Sequence, residues 1–397
     1  SVQQPVLHDL RRRRFNRVQA SISLTLKGVN IIVRRSAPGQ AEPAAKPSTR
    51  FAAPVKEYLL EVALAAAPRP KGDVNALVRL AEGDMAAVDA LILDRMQSDV
   101  PIIPKLAEHL VSAGGKRLRP LLTVAAARAA GATGDIASPK KLAAAVEFIH
   151  TATLLHDDIV DASELRRGKV AAHLIWGAPT SVLVGDFLFA RAFELMVETD
   201  SMRALGILAE ASRVISEGEV LQLTRAHDLN LDQATYLQII SAKTAELFAA
   251  AAEAGAVGAG ASAEAVKALR DYGMALGVAF QLADDALDYG ATAEALGKNA
   301  GDDFNEGKAT LPLLLAVART RGREDAFWER TVTRGERTPD DFARARELVV
   351  GSGAIGATLD LAGDYADAAK AALAVLPASD WRAALEDLAD FAVSRAA

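Results

Sequence analysis

Cysteine is absent from all 397 residues. Disulfides, thiolate metal sites, iron–sulfur ligation and a cysteine nucleophile are therefore excluded, and any metal must be held by carboxylates or imidazoles. Cations that prefer oxygen are favoured. Long charge-free apolar runs are missing too: no stretch of about 18 to 20 residues could cross a bilayer as a helix. The expectation is a soluble or peripheral protein of the cytoplasm, or of an organelle matrix if the N-terminal segment is a transit peptide. Sustained period-two runs flanked by hairpin turns are also lacking, which leaves little room for strands. What is present suffices for a large core, since 51% hydrophobic and 24% charged residues exclude wholesale disorder.

The net charge of −6 is unevenly spread, with ten Lys or Arg against two acids in residues 1–50 and 35 against 49 beyond. Phosphate affinity is built from a net positive surface, so an acidic body argues against nucleic acid as the main partner. Ser36 to Ser48, with Pro38, Gly39, Pro43 and Pro47, has the composition of a linker. The Arg-rich segment before it has a transit-peptide composition, with a non-native leader or an upstream extension as alternatives. In each case residues 1–50 are a basic extension expected outside the core and dispensable for folding.

From about Val55 apolar residues recur at three- and four-residue spacing, the pattern of helices. Ser138 and Pro139 open a helix reaching Val160, and Thr338, Pro339, Asp340 and Asp341 open another. Segments 178–198, 201–223, 231–255 and 262–289 are apolar on most faces, as helices in the middle of a bundle are. The fold class expected for 55–397 is all-α, one large helical bundle around a deep central cavity.

His156-Asp157-Asp158-Ile159-Val160-Asp161 places Asp157 and Asp161 one turn apart on one helix face. Such a pair repels unless a cation sits between, although one copy also fits a solvated acidic helix end. A second copy, Asp284-Asp285-Ala286-Leu287-Asp288, closes an otherwise apolar helix, where unpaired carboxylates are costly if buried. Carboxylate pairs on two helices make a site for Mg²⁺ shared with substrate phosphates, hence for a diphosphate. The cationic complement is Gly114-Gly115-Lys116-Arg117-Leu118-Arg119, with Lys116 and Arg119 on one face if helical, and Arg166-Arg167-Gly168. Arg grips phosphate through a bidentate fork and Lys acts as a point charge, although either cluster alone also fits a solvated basic turn. Together they describe two anion sites, one metal-bridged and one held directly. His150 lies about 10 Å before Asp157 on the same face, as a ligand or as a satisfied half-buried histidine. Gln281 shares the face of Asp284, Asp285 and Asp288, and Lys243-Thr244 sits mid-helix in an apolar segment where an unpaired ammonium is expensive.

These segments resemble the trans-type (head-to-tail) polyprenyl diphosphate synthases, near the octaprenyl, solanesyl and decaprenyl members, over roughly residues 60–397. The carriers are GGKRLRP at 114–120, FIHTATLLHDDIVDASELRRGK at 148–169, GDFLFARAF at 185–193, AKTAELF at 242–248, FQLADDALDY at 280–289 and GKNAGDDFNEGKATLPLL at 297–314. The resemblance implies an enzyme that extends an allylic diphosphate, farnesyl or geranylgeranyl, with isopentenyl diphosphate units. The product would be an all-trans chain of about C40–C50 for a quinone side chain, made by a homodimer. It implies three Mg²⁺ ions on Asp157, Asp161, Asp284, Asp285 and Asp288. Asp158 and Lys243 would join Asp157, Asp161, Asp284 and Asp285 in catalysis. Arg166, Lys243, Thr244, Gln281 and Lys298 would contact the allylic diphosphate, and Lys116, Arg119, His150 and Arg167 the isopentenyl diphosphate. As the resemblance implies, diphosphate departs, the double bond attacks the carbocation and a proton is lost, so positioning and electrostatics carry the rate.

If the allylic diphosphate is anchored at Asp157 and Asp161, its tail runs along the same helix past Thr153 and Ala152, then Ile149 and Val146. Short-chain members of the family carry bulky aromatics at that floor, whereas Ala152 and Thr153 are small, which implies an open tunnel and a long product. Other readings are a terpene cyclase or head-to-head condensing enzyme, a non-catalytic subunit of a heteromeric synthase, and an acidic scaffold that only binds cations. The Lys116/Arg119 cluster and Arg167 argue against the first, and two intact acidic motifs against the second.

Overall fold

In the computed structural model, which describes residues 72–112, 117–290 and 301–395, the three- and four-residue apolar spacing is realised as helices almost throughout. Helices α1 (Val74–Arg95), α2 (Ile102–Ser112), α3 (Leu118–Ala129) and α4 (Ala137–Val160) lead into a small antiparallel hairpin, β1 (Leu165–Arg166) and β2 (Lys169–Val170). Next come α5 (Ala172–Trp176), α6 (Ala178–Val197), α7 (Met202–Thr224), α8 (Gln233–Ile240), α9 (Glu246–Gly258) and α10 (Ala263–Gly290). The C-terminal part holds α11 (Asp302–Glu306), α12 (Leu311–Thr320), α13 (Asp325–Trp328), α14 (Asp341–Gly351), α15 (Ala354–Ala372) and α16 (Asp380–Ser394). The all-α class expected from the sequence is what the structure has. Residues 1–50, the start of the domain at 55, Gly114, Gly115, Lys116 and Lys298 lie outside the described residues. No helix among the described residues is long and apolar enough to cross a membrane.

At the centre is α9, buried on nearly every face because its run of alanines lets α3, α4, α7 and α10 close on it from all sides. Helices α6 and α7 match the expected spans within two residues. Helix α4 begins one residue earlier than its start signal, putting Ser138 inside the first turn with Pro139, where a missing N–H costs nothing. At α14 the acidic first turn reaches backwards, and the Asp341 carboxylate accepts from the Thr338 amide at 2.6 Å.

One expected helix is interrupted. Within 231–255 the chain forms α8, a π turn over Ser241–Ala245, and only then α9. A π turn holds one residue more than an α turn and offsets the helical register at Lys243-Thr244. Two glycines make room for the wider backbone: a Cβ at Gly218 of α7 would come within 2.9 Å of the Lys243 amide, and one at Gly277 of α10 within 2.5 Å of Ala245 Cα. Gly→Ala on a helix stabilises only where the added carbon meets nothing. Gly277→Ala is expected to destabilise the protein by about 1–3 kcal/mol through overpacking. Gly206→Ala, on the open side of α7 with nothing within 4 Å, is expected to stabilise it by about 0.5–1 kcal/mol. Urea unfolding of the two variants beside the parent reads both signs.

Candidate active site

The first acidic motif sits at the C-terminal end of α4, with Asp161 as the capping residue and no basic residue in the last turn. Carboxylates at the negative end of a helix dipole need cations from elsewhere, and the fold delivers them from two directions. Asp158, 2% exposed, pairs with Arg166 of β1, whose Nε donates to Oδ1 at 2.7 Å. Asp161 accepts from Lys308 Nζ at 2.9 Å. Asp157 has no such partner in direct contact among the described residues, and burial, then the charge of Glu219, pushes its carboxyl from 3.8 up to about 7 against the pull of Lys243. Lys243 in turn donates to Glu219 at 2.8 Å and to Gln222 at 2.7 Å, both on α7, so the buried ammonium is paired.

The second motif lies near the end of α10. Asp284 is half-buried, with Arg395 Nη2 at 3.4 Å. Asp285, 3% exposed, accepts from Tyr236 Oη at 2.5 Å and from Gln281 Nε2 at 2.7 Å. Gln281 Oε1 accepts from Thr244 Oγ1 at 2.8 Å, which ties the π turn to α10. Asp288 is fully buried and accepts from the Asp303 amide at 3.3 Å. Residues 301–308 carry Lys308 from this motif to the first one. Against the cost of burial, Asp303, Asp161 and Glu306 hold its ammonium protonated. His227 anchors the segment, donating its backbone N–H to the Gly307 carbonyl at 3.0 Å while its Nδ1 meets the Val332 carbonyl at 2.8 Å. A cavity of about 90 Å³ is lined by Lys243, Thr244, Gln281, Asp285, Asp303 and Lys308, among others.

The cationic cluster apart from the acidic motifs is built around His150. Arg119 Nη1 donates to His150 Nε2 at 3.1 Å, and burial, reinforced by Arg119, Arg167 and Arg166, pushes the imidazole well below 6.5, so it is neutral. Burial lowers Arg119 to about 10, and its guanidinium rests on the Phe248 ring, 4.4 Å from the centroid. Arg167 is at the hairpin tip with φ 52, followed by Gly168 with φ 75. Two successive positive φ values are what a two-residue hairpin turn requires, at a cost for the non-glycine residue. Beneath them Glu147, one turn from His150, accepts from Arg117 at 3.1 Å. Helix α3 starts at Leu118, with Arg117 in left-handed backbone as its cap.

Asp157, Asp161, Arg166, Lys243, Thr244, Gln281, Asp284, Asp285 and Asp288 are thus linked by direct contacts or charge, and Arg119, His150 and Arg167 form a neighbouring cationic cluster. Of the floor residues, Thr153 is half-buried and gives its hydroxyl to the His150 carbonyl, whereas Ala152, Ile149 and Val146 are wholly buried. Sequence reasoning missed Glu219, Gln222, Tyr236, Asp303, Lys308 and Arg395. Lys308 carried a signal, a lone base directly after the three acids of the GDDFNEGK segment; Tyr236 and Arg395 carried none. No group of three His, Cys, Asp or Glu among the described residues is gathered tightly enough to hold a metal unaided. The burial and the neighbouring Glu219 that raise Asp157 fit a site that takes a cation.

Residues 100–349 match the family model described as polyprenyl synthetase. The chain belongs to the polyprenyl synthetase family. It is 48% identical over 312 residues to the octaprenyl diphosphate synthase of Escherichia coli (strain K12), spanning 79% of this chain and 96% of that one. A crystal structure of a polyprenyl synthase from Caulobacter crescentus CB15, complexed with calcium and isoprenyl diphosphate, is 75% identical with a TM-score of 0.81, covering 83% of this chain and all of that one. A decaprenyl diphosphate synthase structure from Rhodobacter capsulatus is 51% identical with a TM-score of 0.78, covering 82% of this chain and all of that one. The resemblance to long-chain trans-type synthases is borne out, and this family member is a prenyltransferase.

The raised Asp157 carboxyl has a thermodynamic consequence. Its folded value lies above the unfolded one, so between about pH 4 and pH 7 the native state holds the extra proton and stability falls as pH rises. Without metal, the melting temperature is expected to drop from pH 5 to pH 8, and the drop to be smaller in Asp157→Asn. Thermal melts in chelator at both pH values check it; equal drops in the two proteins would refute it.

Proposed function

We propose that this prenyltransferase extends an allylic diphosphate, farnesyl or geranylgeranyl, with successive isopentenyl diphosphate units. The product is an all-trans polyprenyl diphosphate of about C40–C50 for a quinone side chain, and the reaction depends on Mg²⁺, three ions in the full site. The observation that carries this reading is two acidic motifs on separate helices, α4 and α10, linked through Lys308 and set beside a separate cluster of arginines around a neutral histidine. A reaction between two diphosphates needs one site of each kind. The calcium and isoprenyl diphosphate of the Caulobacter crescentus structure support it.

Asp157, Asp161, Asp284 and Asp288 are the candidate metal carboxylates, with Asp285 between them held by Tyr236 and Gln281. When bound, the divalent ions supply positive charge against the departing diphosphate. Arg166, held by Asp158, and Lys243, Thr244 and Gln281, held in the network across α7 and α10, orient the allylic diphosphate; Lys298 joins them in this reading. Arg119, His150 and Arg167, with Lys116, grip isopentenyl diphosphate, His150 as an uncharged acceptor that keeps Arg119 in place. The proton lost from the condensed chain passes to the released diphosphate. The reading includes a homodimer, supported by Leu183, Phe193 and Val197, exposed along one side of α6.

Thr153 lies one turn before Asp157 and is only half-buried, so it borders the path open to a growing tail. Incubation with Mg²⁺, farnesyl diphosphate and labelled isopentenyl diphosphate is expected to yield chains of about C40–C50, and Thr153→Phe shorter ones with the fold intact. Ala152→Phe is expected to shorten the product too, but to destabilise the protein by about 1–3 kcal/mol because Ala152 is wholly buried. No product from the parent refutes the function; parent-length product from a folded Thr153→Phe refutes the tail path.

A further inference from the structure

The middle carboxylate of each acidic motif is withdrawn from solvent, Asp158 at 2% and Asp285 at 3% exposure. The two are neutralised differently. Asp158 is paired with a cation, Arg166. Asp285 has acids for neighbours, Asp303 and Asp284, and each of its oxygens is met by a neutral donor, the Tyr236 phenol at 2.5 Å and the Gln281 amide at 2.7 Å. Tyr236 itself is 2% exposed and belongs to α8, which runs directly into the π turn. The hydrogen bonds continue from Gln281 to Thr244 at 2.8 Å, back in that turn. Chain and hydrogen bonds therefore close a ring: Tyr236 to Asp285, Asp285 to Gln281, Gln281 to Thr244, and along the backbone from Thr244 to Tyr236.

We propose that Tyr236 is a positioning residue for prenyl transfer. Its phenol closes this ring and makes Asp285 the anchor of the second acidic motif rather than a metal ligand. The geometry has a chemical logic. A carboxylate buried among acids stays in place only if donors satisfy it, and the penalty for losing a donor is larger inside than in water. One anchor then fixes two things that must meet on the same diphosphate, the Lys243-Thr244 turn and the carboxylates of α10. Tyr236 touches neither substrate nor metal in this scheme; it acts through Asp285. The inference rests on the function proposed above and adds a residue that the acidic motifs do not contain.

Steady-state kinetics on Tyr236→Phe, Asp285→Asn and the double variant, with Mn²⁺ counted by electron paramagnetic resonance in the presence of inorganic pyrophosphate, tests it. Tyr236→Phe is expected to lower kcat at least tenfold and raise the KM for allylic diphosphate several-fold. The KM for isopentenyl diphosphate should stay within twofold, because the Arg119–His150–Arg167 cluster lies on other segments. The double variant should be no worse than the poorer single one, since both act on the same hydrogen-bonded ring. Asp285→Asn should bind as many Mn²⁺ ions as the parent, and Asp284→Asn fewer. Parent-like kinetics in Tyr236→Phe, an equal rise of both KM values, or loss of an ion in Asp285→Asn overturns the proposal. A parent that makes no polyprenyl product would instead overturn the function, and the Mn²⁺ counts would still decide whether Asp285 is a ligand.

Discussion

Excess negative charge in a half-buried cleft is the constraint around which the structure is organised. Asp157, Asp158 and Asp161 crowd the negative end of α4, Asp284, Asp285 and Asp288 the end of α10, with Glu219, Asp303 and Glu306 close by. Most of these charges are answered from other segments, Arg166 for Asp158, Lys308 for Asp161, Lys243 for Glu219, Arg395 for Asp284 and Tyr236 for Asp285, with Gln281 one turn from Asp285 on the same helix. Asp157 has no such answer in direct contact among the described residues, and its carboxyl, raised to about 7 by burial and the charge of Glu219, marks one place where further positive charge is called for. Packing that brings α4, α7 and α10 around α9 therefore also creates the demand for metal.

The two anion sites are mechanically joined. Arg119 of the directly held site lies on Phe248, Phe248 packs against Phe280 with ring centroids 5.6 Å apart, and Arg395 stacks on Phe280 at 3.8 Å while reaching Asp284. Two aromatic rings with a guanidinium at each end thus run from the Arg119–His150 cluster to the second acidic motif. Cation–π contacts of this kind are worth about 0.5–2 kcal/mol each, enough to keep both sites in one register without a hydrogen bond between them.

Much of this was legible in the sequence and some was not, for identifiable reasons. Helices α6 and α7 announce themselves because periodicity, Pro179 and the Ser201 cap agree. The acidic motifs are visible because spacing alone puts their carboxylates on one face. The π turn was hidden: Ser241–Ala245 has ordinary helical composition, and the cause of the break lies in Gly218 and Gly277 on other helices. Tyr236 and Arg395 were hidden for the same reason, since their roles exist only across helix contacts. Arg167 is legible as part of the Arg166-Arg167-Gly168 cationic cluster, and the structure adds the left-handed backbone at the hairpin tip. Lys116 and Lys298 lie outside the described residues, so each anion site was read with one more cation than the structure describes.

The central claim, one metal-bridged and one metal-independent anion site, is tested most directly by calorimetric titration of inorganic pyrophosphate into the protein with Mg²⁺ and with chelator. Two binding events in Mg²⁺, one of them lost in chelator while the other persists, are what the account predicts. The metal-dependent event should be the one that Asp157→Asn removes, and the persistent one the one that Arg119→Gln weakens. A single class of binding, unchanged by chelator, would contradict it.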